Sequence, residues 1–136
     1  MQASWSIDVD PARSVVRITL RGFFTPADVI AFEADRDVAH ARLRCPPNQH
    51  LTFTDVREMK IQPQDTVQAF QALLANKRAH SRKIAFLTAS SLARMQLLRA
   101  AESRTARMFT DPVEAERWLF EDEPVNAAPP AFAAAR

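Results

Sequence analysis

Residues 81–94, Ser-Arg-Lys-Ile-Ala-Phe-Leu-Thr-Ala-Ser-Ser-Leu-Ala-Arg, constrain the fold more than any other stretch. Ile84 to Leu87 is a short unbroken apolar run between polar residues, the pattern of a strand buried on both faces. Thr88 to Ser91 follow with small side chains and hydroxyls where a helix should begin, Ser90 or Ser91 serving as N-cap. Strand, hydroxyl-lined turn and helix form the repeating unit of an open α/β sheet, which meets ligands and partners at the carboxyl ends of its strands.

The rest of the chain fits that unit. Residues 3–8 and 15–21 read as strands joined by the turn Asp8 to Arg13, and therefore as a β-hairpin. Val16, Ile18 and Leu20 alternate with Arg17, Thr19 and Arg21, which predicts one covered face and one wetter face. Thr25-Pro26-Ala27-Asp28 is a helix start, and Ile30, Ala34, Val38 and Ala41 form its expected core stripe until Cys45-Pro46-Pro47 stops it. His50 to Val56 predicts a strand ending near Asp55. A second helix opens at Gln62-Pro63-Gln64-Asp65 and runs to about His80, with Val67, Phe70, Leu73 and Leu74 inward. A third helix is expected over Ser91 to Ser103, a strand over Arg104 to Phe109, and a last helix from Asp111-Pro112 with Ala115, Trp118 and Leu119 inward. The prediction is one α/β domain over residues 1–121. It has a mixed five-stranded sheet, an N-terminal β-hairpin plus parallel strands, covered by about four helices. Residues 122–136, rich in Ala and Pro, are expected to be a disordered tail.

What is missing narrows function. Gly22 is the only glycine, so Gly-rich phosphate loops of the dinucleotide-binding and P-loop kinds are excluded. Cys45 stands alone and allows neither an internal disulfide nor a thiolate cluster. The absence of a spanning apolar run and of a signal-peptide pattern predicts no membrane span and a cytoplasmic setting. His40, His50 and His80 lack metal-ligand spacing and read as surface or capping residues. No metal, cofactor or catalytic constellation is expected, and the chain reads as a non-enzyme.

Charge is uneven. Residues 1–76 carry 8 basic and 9 acidic groups, residues 77–107 carry 8 basic and 1 acidic, and residues 108–136 carry 2 basic and 6 acidic. The basic middle and acidic end are expected to screen each other across the fold. Nucleic-acid binding is not expected, because aromatics for base stacking are scarce in the basic stretch.

One cluster of candidate site residues emerges from the predicted topology. Thr54 and Asp55 would end one strand, Thr88, Ser90 and Ser91 the next, and all would lie along one rim of the sheet. Asp55 and Arg57 form a candidate rim ion pair.

The strand Arg82-Lys83-Ile84-Ala85-Phe86-Leu87 and the run Ala106 to Leu119, with its strand ending in Phe109 and its Trp118-Leu119, resemble bacterial STAS-like proteins. These are the SpoIIAA-like relatives of anti-sigma-factor antagonists. The resemblance covers about residues 14–120 and implies a STAS-like fold. Relatives that switch partners carry an Asp-Ser-Ser-Gly-type phosphorylation motif where the second helix begins. Here Gln62-Pro63-Gln64-Asp65 occupies that place with neither serine nor glycine, and Thr66 follows inside the helix. The resemblance also extends in fold to lipid-carrier domains.

Two functions are therefore expected in order. The first is a non-enzymatic interaction or regulatory module that binds a protein partner constitutively through exposed Arg57, Lys60, Gln62 and Gln64. The second is a carrier or sensor of a small apolar ligand or lipid in a helix–sheet cleft, lined by Phe53, Phe70 and Leu74, with Phe24 beside them. A homodimer is left open.

Overall fold

The computed structural model describes residues 2–90, 102–103 and 105–121. Five strands, β1 (Ser4–Asp10), β2 (Val15–Gly22), β3 (Leu51–Met59), β4 (Lys83–Leu87) and β5 (Ala106–Phe109), lie side by side in chain order. The β1–β2 pair is antiparallel and the three pairs that follow are parallel, so the predicted mixed sheet is present with the hairpin at one edge. Asp10 makes the hairpin turn by accepting from the backbone N–H groups of Ala12 and Arg13, and Ser14 takes a left-handed φ of 56°.

Three α-helices are described: α1 (Pro26–His40), α2 (Gln64–Leu74) and α3 (Pro112–Phe120). Thr25 and Asp28 form the expected reciprocal cap on α1. Asp111 caps α3 through Val113 N–H, as its sequence predicts. The helix expected over Ser91 to Ser103 falls mostly on residues 91–101, outside the described residues. Its described end is not helical, since Ser103 bridges to Ala106. The tail expected over 122–136 also lies outside the described residues.

The sheet separates two cores because neighbouring side chains on a strand point to opposite faces. On one face Val15, Leu51, Phe53, Ala85 and Leu87 pack under α3 through Ala115, Trp118 and Leu119. On the other, Val16, Ile18, Leu20 and Val56 pack under α1 and α2. Arg17 of β2 forms a two-point ion pair with Glu116 of α3, one contact at 2.5 Å and the other at 3.1 Å. Lys83, at the start of β4, is buried beneath the ring of Trp118 and donates to its carbonyl.

Three sequence expectations change. The α1 stripe is Val29, Phe32, Arg36 and Ala39; Ile30 is 68% exposed and Val38 70% exposed. Both stripes have helical spacing; the one turned to the sheet puts Val29 and Phe32 in the core, with Phe32 edge-on against Trp5 of β1. Strand β3 continues past Asp55 to Met59, with a register shift opposite Thr19 and Arg21. Helix α2 stops at Leu74; a 3₁₀ turn, Lys77–Ala79, and an extended link carry the chain into β4.

Candidate functional site

The main concavity is a cavity of about 580 Å3 between the α1/α2 side of the sheet and α2. Its volume lies in the range of small-molecule sites, ~300–1,000 Å3. The sheet contributes Thr52 and Thr54 from β3, Ile84 and Phe86 from β4, and Ala106 from β5. Helix α2 contributes Val67, Phe70 and Leu74, and α1 contributes Phe32, Arg36 and His40. This explains why Val67, Phe70 and Leu74, expected to be core, are only half-buried, and why Ile84 is less buried than its neighbours on β4. They face the cavity rather than a packed layer.

The cavity's α1 end is polar. Arg36 is 7% exposed, and its Nε and Nη2 have no hydrogen-bond partner among the described residues. Glu33 and Asp37 approach Nη2 only to 3.9 and 3.8 Å, outside hydrogen-bonding range. The His40 ring lies 4.5 Å from that of His50. His50 is 4% exposed, so it is a buried residue and not the surface residue expected. Burial, with His40 and Arg36 adding to it, lowers the His50 pKa to about 4. Burial, then the charge of Arg36, also lowers His40. Arg36 itself is lowered from its usual value by burial, against the pull of Asp37 and Glu33.

Tertiary structure also creates a serine–histidine contact that sequence spacing does not reveal. Ser81 Oγ stands 3.3 Å from His50 Nε2 and 2.5 Å from Thr52 Oγ1. A base of pKa about 4 takes up a proton poorly near neutral pH. No carboxylate appears among the described residues lining the cavity. His80, which also lines the cavity, places Nε2 2.8 Å from the Leu74 carbonyl at the end of α2, the capping role its position suggested.

The predicted ligand residues divide between the two faces of the sheet. Thr54, Phe70 and Leu74 meet in the cavity. Phe53 does not: it belongs to the core under α3, and the sheet stands between it and Phe70. Phe24 is also absent from the lining; it is buried, stacks on Trp5 and meets Phe70 edge-on. Asp55 pairs with Leu87 at the end of β4, so the two strands align there, although β3 itself runs on. Thr88 is fully buried beside them, with its N–H on the Phe109 carbonyl. Ser90 is exposed, and Ser91 lies outside the described residues.

The predicted partner residues also divide. Arg57 folds back on Asp55 through Nε and Nη2 at 3.1 and 2.9 Å, the expected rim pair. Burial works to raise the Asp55 pKa, but the hydrogen bonds from Arg57 outweigh it and the net shift is downward. Lys60 and Gln64 are exposed. Gln62 is 8% exposed and cannot present its side chain to a partner. Its Oε1 accepts from Phe24 N–H at 2.7 Å, and its Nε2 donates to the carbonyls of Gly22 (2.9 Å) and Lys60. Gly22 sits at φ 84°, a left-handed conformation that favours glycine, and this turns its carbonyl toward Gln62 and the Lys60 N–H. Thr66 is 0% exposed, and its hydroxyl donates to the Phe24 carbonyl at 2.7 Å.

Two solved structures share this architecture. An uncharacterized protein of the DUF3478 family from Shewanella loihica PV-4, described as having a SpoIIAA-like fold, superposes with a TM-score of 0.66 at 16% identity. The match covers 86% of this chain and 94% of that one. This chain has a SpoIIAA-like fold. An anti-sigma factor antagonist from Mycobacterium paratuberculosis also shares the SpoIIAA-like architecture, with a TM-score of 0.56 at 13% identity over 85% of this chain and 94% of that one. No protein-family model and no curated protein matches the sequence. Among the described residues no helix is long and apolar enough to cross a membrane, and no cluster of His, Cys, Asp and Glu could hold a metal ion. Cys45 is half-buried and free.

Proposed function

We propose that this SpoIIAA-like domain is a binding module, not an enzyme, and that its helix–sheet cavity takes a small apolar ligand. The observation that carries the reading is the cavity itself: about 580 Å3, walled largely by Phe32, Val67, Phe70, Leu74, Ile84 and Phe86. The space is partly open, so its apolar walls face water, and an apolar molecule seated there removes that surface from water. The depressed His50 and the lack of a carboxylate in the described lining argue for holding a ligand over transforming it.

Decan-1-ol, an uncharged probe, should bind saturably in isothermal titration of the whole chain. Leu74→Trp, which fills the cavity from the α2 side, should abolish that binding while leaving a cooperative unfolding transition. Absence of saturable binding, or unchanged binding by Leu74→Trp, would overturn the reading.

A protein-partner role rests on a separate observation. Phe23 and Ile61 are exposed on adjacent segments at the carboxyl ends of β2 and β3, beside Lys60 and Gln64. Large apolar side chains in a polar setting mark contact surfaces. Docking there would be constitutive, because the nearby Thr66 hydroxyl is buried and bonded. Pull-downs with wild type and an Ile61→Glu, Lys60→Glu pair test it; identical recoveries would refute it.

A further inference from the structure

We infer that the cavity's ligand carries a neutral oxygen group, a hydroxyl or a carbonyl, on its apolar body, and that Thr54 is the side chain that hydrogen-bonds it. The inference rests on the ligand reading above and adds the chemical class. Four polar side chains that line the cavity are at least nine-tenths buried: Arg36, Thr52, Thr54 and Gln62. Three of them are sealed or already engaged. The unmatched Nε and Nη2 of Arg36 have no accessible surface, and Nη2 lies beside the Glu33 and Asp37 carboxylates. Gln62 commits its amide to the backbone of Gly22, Phe24 and Lys60. Thr52 Oγ1 stands 2.5 Å from Ser81 Oγ.

Thr54 is neither. Among the described residues the only side-chain atoms both sealed and unpartnered belong to Arg36, so the Thr54 hydroxyl, which no described neighbour bonds, keeps a face to the cavity. Strand parity puts Thr54 on the α1/α2 side of the sheet, with Ile18 of β2 and Phe86 of β4 paired beside it. It is an unmatched hydroxyl in an apolar floor. Water reaches it while the cavity is open, and a wholly apolar occupant would strip that water and put nothing in its place. An occupant with a hydroxyl or carbonyl at that point restores the bond, since a threonine hydroxyl both donates and accepts. The group is uncharged because the described lining offers an ion no accessible counter-charge. Arg36 is turned aside, His80 is engaged with the Leu74 carbonyl, and burial lowers the His40 pKa so that it is neutral at pH 7.5.

The test compares butylbenzene, 4-phenylbutan-1-ol and 4-phenylbutan-2-one, which share a carbon skeleton, by isothermal titration at pH 7.5 on wild type and Thr54→Val. Valine keeps the shape of threonine and removes only the hydroxyl. Thr54→Val should weaken the alcohol or the ketone by about tenfold, while butylbenzene binds as before or more tightly. The variant should unfold at the wild-type urea midpoint or above it, because no bond within the protein is lost. Wild type should also bind decan-1-ol about tenfold or more tightly than decanoate, whose carboxylate would be desolvated without a counter-charge. Undiminished binding of both polar probes by Thr54→Val, or equal weakening of all three, would overturn this inference and leave the apolar-ligand reading standing. A fallen midpoint, or failure of the variant to fold, would make the hydroxyl structural and also overturn it. Decanoate binding as tightly as decan-1-ol would overturn the neutral class. Failure of every probe, decan-1-ol included, to bind wild type would remove both readings.

Discussion

Replacing Gln62 with alanine should destabilise the domain by about 3 kcal/mol, a sum set by three hydrogen bonds and what their loss leaves behind. The Gln62 side chain bridges two segments, taking the Phe24 N–H and giving its amide to the carbonyls of Gly22 and Lys60. Each such bond contributes roughly 0.5–1.5 kcal/mol net, and a buried group left unmatched costs about 1–3 kcal/mol. Gln62 also borders the cavity, so water can reach part of the vacated space and offset some of that cost. These opposing effects give about 3 kcal/mol rather than the larger sum of all terms. With a urea slope of about 1.5 kcal/mol/M, typical of small domains, the unfolding midpoint should fall by about 2 M. Gln64→Ala is the control: Gln64 is exposed at the first position of α2, and the variant's stability should stay within about 0.5 kcal/mol of wild type. Were Gln62 a surface contact residue, Gln62→Ala would behave like that control. A midpoint shift of less than 0.5 M would refute the bridging argument.

Stability should fall as pH drops from about 6.5 toward 4, because His50 is depressed in the folded state and an unfolded histidine takes a proton first. The loss should be about 2–3 kcal/mol across that window, and His50→Gln should flatten it in urea titrations at each pH. Thr66→Val should cost about 1–2 kcal/mol in thermal or urea unfolding through loss of the bond to the Phe24 carbonyl; no measurable change would refute that role. In native-state hydrogen exchange the amides of Ala85 to Leu87 should be among the slowest, since β4 is paired on both sides; rapid exchange there would contradict the sheet order.

The sequence by itself determined the elements whose causes are local. Thr25-Pro26-Ala27-Asp28 and Asp111-Pro112 start helices because capping needs residues only three or fewer apart, and both helices begin where those caps stand. The alternation of Val16, Ile18 and Leu20 made one covered face of β2 legible, and Ile84 to Leu87 announced a strand inside a parallel sheet. Tertiary structure decided what depends on partners far along the chain. Helix α1 carries two helically spaced stripes, and packing against β1 and α2, with Phe32 edge-on to Trp5, selected the one containing Arg36. That stripe, Val29, Phe32, Arg36 and Ala39, was the available signal for the cavity's charged residue, but an arginine within it counts against burial on sequence grounds. The polar run at Gln62 is equally compatible with an exposed edge until Phe24 and Gly22 are brought beside it. His50 and Ser81 are 31 residues apart and meet only because β3 and β4 pair in parallel. Phe53 and Phe70 fell on opposite sides of the sheet for the same reason that Thr54 and Phe70 came together. Strand parity assigns each side chain a face, and only the placement of α2 decided which face borders the cavity.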